Sequence, residues 1–249
     1  MFNVKVSIIT VCYNSGNTIK DTFDSIRNQT YKNIEYIVID GGSTDNTKEI
    51  VEQYEGVITT FISGPDRGLY DAMNKGIALA TGDIIGTLNS DDILFNDTVI
   101  ENIVNTIGDA DGVYADVGFY DIELKNKTRH YSSKNFTKAK FGRGFMPAHP
   151  SLYVRKHIYE QAGLYSLNYK IASDFDMLIR VFNIAGTTYK YIPKEFVKMR
   201  VGGVSTAGIS ANILLNKEII ISCRSHNIKC SWFSILSKYP EKILGLLNK

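Results

Sequence analysis

Polar side chains cluster at four places in the N-terminal half, each just after an apolar run rich in β-branched residues. The clusters are Tyr13-Asn14, Asp40, Asp66-Arg67 and Asn89-Ser90-Asp91-Asp92. Adjacent carboxylates such as Asp91 and Asp92 are hard oxygen ligands that suit Mg²⁺ or Mn²⁺, and these ions usually share a site with substrate phosphates. Arg67 and Lys75 supply positive charge that could face the same phosphates. Turn propensity explains any single cluster, but four clusters at strand ends favour a binding site.

The second half offers a candidate general base and a candidate acceptor contact. Asp174 and Asp176 stand at the start of a helical pattern. Residues two apart on a helix point in different directions, so we expect one in a cleft and the other in solvent. A carboxylate in a cleft can accept a proton, although one at a helix start also stabilises the helix. His149, held between two prolines, is either an acceptor or phosphate contact or a structural residue. Residues 202–206 form either a phosphate-binding nest or a plain turn.

A sheet that brings strand ends together would unite these clusters, and the sequence has the pattern for one. Apolar runs at 6–11, 34–39, 58–62 and 84–88 predict strands, with helical spacing between them. Alternating strands and helices predict a mainly parallel α/β sheet flanked by helices, with ligands at the carboxyl ends of the strands. Further along we expect strands at 113–120, 151–154 and 189–199, a basic loop or hairpin at 121–148, and a helix at 174–185.

The net charge of +2 over 249 residues conceals a division of charge along the chain. Residues 1–121 hold 7 Lys and Arg against 19 Asp and Glu, whereas residues 122–249 hold 21 against 7. An acidic half suits a hard cation, and a basic half suits phosphates or an anionic membrane; alternatively the two halves attract each other. No apolar run approaches the roughly 18 residues of a membrane span.

Several protein classes are disfavoured by what the sequence lacks. It has no Gly-x-Gly-x-x-Gly after the first strand, no Gly-x-x-x-x-Gly-Lys-Ser/Thr and no Gly-x-Ser-x-Gly. Dehydrogenases of the dinucleotide-binding type, P-loop nucleotidases and α/β-hydrolases are therefore poor candidates. Three cysteines without metal-ligand spacing fit a reducing cytoplasm, and Cys12 is either a catalytic thiol or an inert thiol buried at a strand end.

Taken in order, four segments resemble the family 2 glycosyltransferases. VSIITVCYN at 6–14 and IDGGSTD at 39–45 resemble the opening of that family, and GPDRGLYDAMNKG at 64–76 resembles a bacterial branch of it that builds surface polysaccharides. The run Asn89 to Asp92 lies where the metal motif of the family belongs. The resemblance covers about residues 5–205. It implies a GT-A fold and a nucleotide-diphosphate-sugar donor.

The resemblance also implies roles for individual residues. Asp91 would bind the Mn²⁺ or Mg²⁺ that bridges the donor diphosphate, and Asp92 would support it. Asp174 matches the carboxylate of the family's Glu-Asp pair and would be the catalytic base, and His149 is the candidate acceptor contact. Asp40 would accept a hydrogen bond from the nucleotide base. The implied nucleotide-sugar-binding residues are Thr10, Tyr13, Asn14, Asp40, Asp66, Arg67, Lys75 and Asp91.

The implied reaction is inverting transfer of one sugar, with uridine diphosphate as the expected carrier. The expected acceptor is a hydroxyl of a glycan or of a polyprenyl-diphosphate-linked molecule in the synthesis of lipopolysaccharide or capsule. Asn89 replaces the first Asp of the usual Asp-x-Asp, and Ser173 replaces the Glu before the base. The Gln-x-x-Arg-Trp of processive synthases is absent, which favours single addition. The alternatives are a non-catalytic nucleotide-sugar-binding partner on the same fold and a nucleotidyltransferase.

Three parts of the chain follow from these expectations. Residues 1–120 would bind the donor, 121–206 would form the acceptor-binding and catalytic-base half of the same domain, and 207–249 would be a C-terminal helical segment. Its tail, 231–249, combines an apolar stripe with lysines, which suits either a membrane surface or packing on the domain, a partner or a second copy. We expect a cytoplasmic protein, peripheral on the inner face of the membrane if the tail binds lipid, without a nucleic-acid partner.

Overall fold

Nine strands form one sheet in the computed structural model, which describes residues 4–202 and 208–237. The strands are β1 (Val6–Cys12), β2 (Ile34–Asp40), β3 (Thr60–Ser63), β4 (Ile84–Thr87), β5 (Ile93–Leu94), β6 (Gly112–Tyr120), β7 (Lys127–Tyr131), β8 (Tyr153–Arg155) and β9 (Tyr189–Arg200). The α-helices are α1 (Ile19–Arg27), α2 (Thr47–Glu52), α3 (Leu69–Leu79), α4 (Val99–Ile107), α5 (Lys156–Ala162), α6 (Ser173–Asn183), α7 (Ile209–Ser225) and α8 (Trp232–Leu236). Two 3-10 helices span Lys138–Arg143 and His149–Ser151.

The strands follow the order β3-β2-β1-β4-β8-β6-β9-β5, and β7 pairs with β6 beside this path. Strands β3, β2, β1 and β4 are parallel, as are β6 and β9. Strands β5, β7 and β8 run antiparallel to their neighbours. The expected α/β architecture is therefore confirmed, as a sheet whose parallel half, β3-β2-β1-β4, is extended by strands of mixed direction.

Helices cover both faces of the sheet because its central strands are apolar on both sides. Every residue of β1 is buried, and its side chains alternate between the two faces. Ile9 joins a core with Met73 of α3, whereas Ile8 joins a core with Phe23 of α1 and Ile100 of α4. Parallel strands buried on both faces are expected to be continuously apolar, as these are.

Glu35 of β2 is a buried carboxylate that links β2 to β1 and to Thr81, which precedes β4. It accepts hydrogen bonds from the hydroxyl of Ser7 (2.5 Å), the backbone N–H of Thr81 (2.7 Å) and the ammonium of Lys5 (3.0 Å). Burial opposes ionisation of Glu35, but these hydrogen bonds outweigh it and lower the pKa to about 2. The carboxylate is thus charged and fully engaged in the folded protein.

The second half departs from the expected element boundaries in one place. The expected strand at 151–154 starts only at Tyr153, and residues 149–151 form a 3-10 turn instead. Pro150 has no N–H to donate to a strand ladder, and the hydroxyl of Ser151 bonds back to the carbonyl of Ala148 at 2.7 Å. The loop or hairpin expected at 121–148 contains β7, paired with β6, and a 3-10 helix.

The C-terminal part begins with α7 and α8, in agreement with a helical segment after residue 207. Within the described residues, no helix is both long enough and apolar enough to cross a membrane. Residues 238–249, the rest of the expected amphipathic tail, lie outside the described residues, and so do residues 203–206 of the expected phosphate nest.

Candidate active site

A cleft of about 870 Å³ opens where the loops after β1 and β4 meet. Its other walls are the start of α3, the segment leading into α6, and the end of β9. The polar side chains in its lining are those of Tyr13, Asn14, Ser15, Thr18, Asp66, Tyr70, Asn89, Ser90, Asp91, Asp92, His149, Lys170, Asp174 and Arg200. This is the sheet edge at which the strand-end clusters were expected to meet.

The loop after β4 brings two carboxylates to the cleft in different positions. Asp92 is 2% exposed, and its carboxylate accepts hydrogen bonds from the amide of Asn89 (3.2 Å) and the backbone N–H of Arg200 (3.2 Å). Its carbonyl accepts a hydrogen bond from the hydroxyl of Thr22 in α1 (2.7 Å). Asp91 is only partly buried. Asp92 therefore fixes the loop through its buried hydrogen bonds, while Asp91 is more open to the cleft.

Burial makes both carboxylates hard to ionise. It raises the pKa of both Asp91 and Asp92, and the charge of Asp91 beside it raises the pKa of Asp92 as well. A bound cation would relieve this cost.

The described residues contain no group of three or more His, Cys, Asp and Glu placed to hold a metal ion. The arrangement instead fits Mg²⁺ or Mn²⁺ held by Asp91 together with substrate phosphates. Asp92, which is buried and accepts two hydrogen bonds, suits the supporting role.

Arg200 adds a cation that the sequence analysis did not select. It ends β9, is mostly buried, and pairs through its guanidinium with Asp21 of α1. Its Nε is a buried donor without a hydrogen-bond partner among the described residues. No motif marks this arginine in the sequence; only the pairing of β9 with β5 carries it to the loop after β4.

Asp174 and His149 meet at the wall of the cleft that the start of α6 forms. Nδ1 of His149, at the start of the second 3-10 helix, lies 3.2 Å from Oδ2 of Asp174 in the first turn of α6. Burial raises the pKa of Asp174 and lowers that of His149, and each partner partly offsets the shift of the other. A half-buried carboxylate beside an imidazole is an arrangement suited to accepting a proton.

Asp176 corrects one expectation, because it faces neither the cleft nor the solvent. It is mostly buried, and its carboxylate binds Arg180 (3.0 Å) on the same helix and Ser222 (2.9 Å) and His226 (2.9 Å) at the end of α7. The sequence shows the two-residue offset from Asp174 but not that α7 packs against this face of α6. Asp176 therefore joins two helices.

Glu218 of α7 is a second residue that the sequence analysis missed. Its buried carboxylate accepts hydrogen bonds from the backbone N–H groups of Lys170, Ile171 and Ala172, each at 2.9 Å. These residues immediately precede α6, and the first two line the cleft. No local sequence signal connects residue 218 with residues that lie about 50 positions earlier.

The loop after β1 presents Tyr13 and Asn14 to the cleft. Tyr13 is 64% exposed. Asn14 has φ +50°, a left-handed conformation that asparagine tolerates. Its N–H donates to the hydroxyl of Ser43 (2.7 Å), and its side-chain oxygen accepts from the N–H of Thr44 (2.9 Å). These bonds fix the loop after β1 against the loop after β2, so Asn14 lies in the lining and also shapes it.

Thr10 and Asp40, which were expected in the nucleotide pocket, do not line this cleft. Thr10 points into the core, where it accepts a hydrogen bond from the hydroxyl of Tyr36 (2.9 Å). Asp40 is 1% exposed and accepts hydrogen bonds from Ser43 and from the hydroxyl of Ser63 (2.6 Å). Although burial opposes ionisation, these bonds lower the pKa of Asp40. Thr10 points into the core because side chains alternate between the two faces of a strand. The carboxylate of Asp40 is already bonded to residues of the turn that follows it and of β3.

Arg67 and Lys75 also lie outside the lining, whereas Asp66 belongs to it. The guanidinium of Arg67, in the loop before α3, binds the carboxylate of Asp71 (2.7 Å) in the first turn of that helix. The ammonium of Lys75 donates to the carbonyl of Pro65 (3.1 Å). These cations stabilise the loop that carries Asp66. The absence of a side chain at Gly41 lets the Asp66 carboxylate approach, since a Cβ there would stand 2.8 Å from it.

The chain is similar to known glycosyltransferases. The model of Glycosyl transferase family 2 matches residues 7–166. A PGL/p-HBAD biosynthesis glycosyltransferase of Mycobacterium bovis is 29% identical over 220 residues, which cover 86% of this chain and 82% of the relative. An uncharacterised glycosyltransferase of Mycobacterium tuberculosis is 33% identical over 178 residues, covering 70% of this chain and 68% of the relative.

Solved structures show the same fold at lower identity. S. aureus TarS in complex with UDP-GlcNAc superposes with a TM-score of 0.69 at 17% identity, covering 88% of this chain and 66% of that one. A mannosyltransferase from Pyrobaculum calidifontis, in complex with GDP-Man and Mn²⁺, superposes with a TM-score of 0.67 at 17% identity. The match covers 91% of this chain and 65% of the mannosyltransferase. Against another TarS structure this chain spans only 40% of the solved chain. At these identities the likeness establishes the fold.

Proposed function

Because the chain belongs to glycosyl transferase family 2, we propose that it moves one sugar from a nucleotide-diphosphate sugar to an acceptor hydroxyl, with inversion at the anomeric carbon. The observation that carries the proposal is the pairing of Asp174 with His149 on one wall of the cleft that holds Asp91 on another. One wall thus suits proton transfer and the other suits a diphosphate. Donors bound by structural neighbours, UDP-GlcNAc and GDP-Man, support this donor class.

In the proposed reaction, Asp174 takes the proton of the acceptor hydroxyl while its contact with His149 orients the carboxylate. The acceptor oxygen attacks the anomeric carbon, and the bond from that carbon to the nucleoside diphosphate breaks on the opposite side. Arg200 and the partly buried carboxylate of Asp91 both line the cleft and would border the leaving diphosphate. Mn²⁺ or Mg²⁺ bound with Asp91 would supply charge neutralisation for that leaving group.

The donor test is a thermal-shift panel of UDP, GDP and their sugars, with and without Mn²⁺. A ligand at 100 times its Kd adds about 2.7 kcal/mol to the free energy of unfolding, which gives a clear rise in Tm. We expect one nucleotide to shift the Tm, Mn²⁺ to enlarge the shift, and Asp91→Asn to abolish the enlargement. Asp97→Asn, an exposed carboxylate outside the cleft, is the matched control. No shift with any nucleotide would contradict the proposal.

The catalytic test compares Asp174→Asn with the wild type. Loss of a general base costs about 10²- to 10⁴-fold in kcat, so we expect transfer to fall by that amount while the donor-induced rise in Tm is retained. Transfer is measured as release of nucleoside diphosphate. Unchanged release in Asp174→Asn would overturn the base assignment. Donor binding without any transfer by the wild type would favour the non-catalytic binding partner.

For the acceptor we propose a glycan or a polyprenyl-diphosphate-linked molecule at the cytoplasmic face of a membrane, used in surface polysaccharide synthesis. The support is the charge division: residues 124–159 contain nine Lys and Arg and no Asp or Glu. Lys170 adds an exposed cation to the cleft wall next to Asp174. Both features suit an acceptor that carries phosphate.

A further inference from the structure

We infer that Glu218 is a positioning residue for Asp174: it caps, from a distant helix, the segment that leads into α6. The inference rests on the proposed function, since that function makes Asp174 the base. It concerns a residue that acts through Asp174 and does not touch the substrate. Three observations carry it, namely the hydrogen bonds of Glu218, the lack of a capping side chain at the N-cap residue of α6, and a further hydrogen bond from Tyr70.

The first observation is the concentration of hydrogen bonds on one carboxylate. Oε1 of Glu218 accepts from the N–H of Lys170, and Oε2 accepts from those of Ile171 and Ala172, all at 2.9 Å. Glu218 is 6% exposed, so water competes little for these bonds. Hydrogen bonds to a charged acceptor are about twice as strong as neutral ones. The path of the backbone over these three residues is therefore set by one side chain.

The second observation is that the N-cap residue of α6 supplies no side-chain cap. That residue is Ala172. The local side-chain hydrogen bond at the helix start comes from Asp174 itself, whose carboxylate accepts from the N–H of Phe175 (2.7 Å). The first N–H groups of a helix need partners, which a local Ser, Thr, Asp or Asn usually supplies. Here the neighbouring N–H groups converge on Glu218, whose negative charge also suits the positive end of the helix. Glu218 of α7 thus holds the residues immediately before the helix that carries Asp174.

The third observation is a hydrogen bond from α3 to the same segment, residues 170–172. The hydroxyl of Tyr70, in α3, donates to the carbonyl of Ile171, and it lies beside the backbone N–H groups of Ser173 and Asp174. Ile171 is therefore bound at its N–H by α7 and at its carbonyl by α3. A surface loop held from two elements differs from the usual mobile connection.

Such a hold matters because the position of a base determines its effect. A displacement of about 1 Å at a reacting group can lower a rate about 10²-fold. If Glu218 only contributed stability, its loss would lower the Tm and leave kcat of the folded enzyme unchanged. If it positions Asp174, its loss lowers kcat and leaves donor affinity unchanged, because the donor side of the cleft is built by the loops after β1 and β4.

The experiment compares Glu218→Gln with Ser222→Ala. Ser222 lies one turn further along α7 and loses a comparable buried hydrogen bond, to Asp176, without contact to residues 170–172. In Glu218→Gln we expect kcat to fall about 10²-fold with donor Kd unchanged, and faster hydrogen exchange at the amides of 170–172. We expect Ser222→Ala to keep the wild-type kcat and exchange at those amides. Should Glu218→Gln not fold, Glu218→Asp keeps the charge on a shorter side chain and replaces it.

The inference is overturned if a folded Glu218 variant keeps kcat within about threefold of the wild type, or if Ser222→Ala loses as much. Its failure can be told apart from that of the proposed function. A wild type that binds the donor but releases no nucleoside diphosphate refutes the proposed function, and with it the catalytic meaning of the cap. Hydrogen exchange still reports in that case whether Glu218 holds the segment.

Discussion

At the scale of single residues, the carboxylates around the cleft differ because their surroundings differ. Hydrogen bonds outweigh burial at Asp40 and lower its pKa, whereas burial dominates at Asp92 and Asp174 and raises theirs. The first carboxylate organises a turn, the second supports a loop, and the third is suited to exchange a proton. Residue type alone does not separate these roles, since each of the three is an aspartate at or next to the end of a regular element.

The pH dependence of transfer tests the Asp174–His149 pair. A base acts when deprotonated, so kcat should rise with pH through the raised pKa of Asp174. Burial is the main cause of that raised pKa; His149 lowers it and Glu218 adds to it. Replacing His149 by Gln removes the lowering contribution, so the acidic limb of kcat should move to higher pH. The measurement is kcat between about pH 4.5 and 8. A limb that stays in place or moves to lower pH would contradict the pairing.

At the scale of elements, buried polar contacts hold the strands that carry the cleft. Glu35 joins β2 to Ser7 of β1 and to Thr81 before β4. Tyr36 of β2 donates to Thr10 of β1. Tyr153 of β8 packs over Gly86 of β4, where a Cβ would lie 2.2 Å from its ring. The relative position of the strand ends depends on these contacts.

Glu35→Gln should destabilise the protein by about 2 kcal/mol at neutral pH, because hydrogen bonds to a buried charge are lost. The folded pKa of Glu35, about 2, lies below the unfolded value, about 4.3, so its contribution is complete above pH 5 and falls as the pH drops towards 2. Urea unfolding at pH 7 and pH 3.5 checks this. The difference in free energy of unfolding between the wild type and Glu35→Gln should be smaller by about 1 kcal/mol at pH 3.5 than at pH 7. A gap that does not change with pH would refute the assignment.

Tyr153→Phe should raise stability by up to about 1 kcal/mol, because the buried hydroxyl of Tyr153 has no hydrogen-bond partner among the described residues. Tyr36→Phe is the matched control, since the hydroxyl removed there is bonded to Thr10 and its loss should destabilise by about 1 kcal/mol. Urea midpoints of the two variants should therefore move in opposite directions. Equal destabilisation would show that Tyr153 has a partner after all.

At the scale of the whole molecule, a C-terminal face combines exposed apolar side chains with basic surroundings. We call Lys138, Lys229, Trp232, Phe233 and Leu236 the C-terminal face. Phe233 is 85% exposed although it belongs to a helix whose neighbour Ile235 is fully buried. The hydroxyl of Ser234 binds the carbonyl of Gly142 (2.8 Å) and so fixes α8 against the 3-10 helix that carries Lys138. Residues 219–237 contain no Asp or Glu. Aromatic and basic side chains together suit an anionic lipid surface.

Vesicle sedimentation tests this face. We expect the protein to bind vesicles of phosphatidylglycerol and phosphatidylcholine at low salt and to dissociate as salt screens the charges. Phe233→Ser should weaken binding by about tenfold or more, because burial of a phenylalanine contributes about 1.5–3 kcal/mol. Phe61→Ser on the edge strand β3 is the control and should bind as the wild type does. If Phe233→Ser instead changes the mass measured by light scattering, the face joins two copies of the chain.

The sequence alone was sufficient for the α/β architecture and for the sheet edge at which the candidate cleft lies. Apolar runs with helical spacing between them predicted the parallel half of the sheet, because periodicity is a local property that the fold preserves. The strand-end clusters predicted a site at the carboxyl edge, and Tyr13, Asn14, Asp66, Asp91, Asp92, His149 and Asp174 do line one cleft. Whether they perform the proposed reaction stays a prediction.

Only the tertiary structure decided how these residues are partnered. Thr10 and Asp40 are occupied by internal hydrogen bonds, and Arg67 pairs with Asp71 in the first turn of the helix that follows it. Arg200 and Glu218 act at positions about 100 and 50 residues away along the chain, at Asp92 and at Lys170–Ala172. The physical reason is that burial and hydrogen-bond partners depend on contacts between segments distant in sequence, whereas propensity and periodicity are read within one segment. Side-chain chemistry is thus encoded locally, and its use at the site is determined by packing.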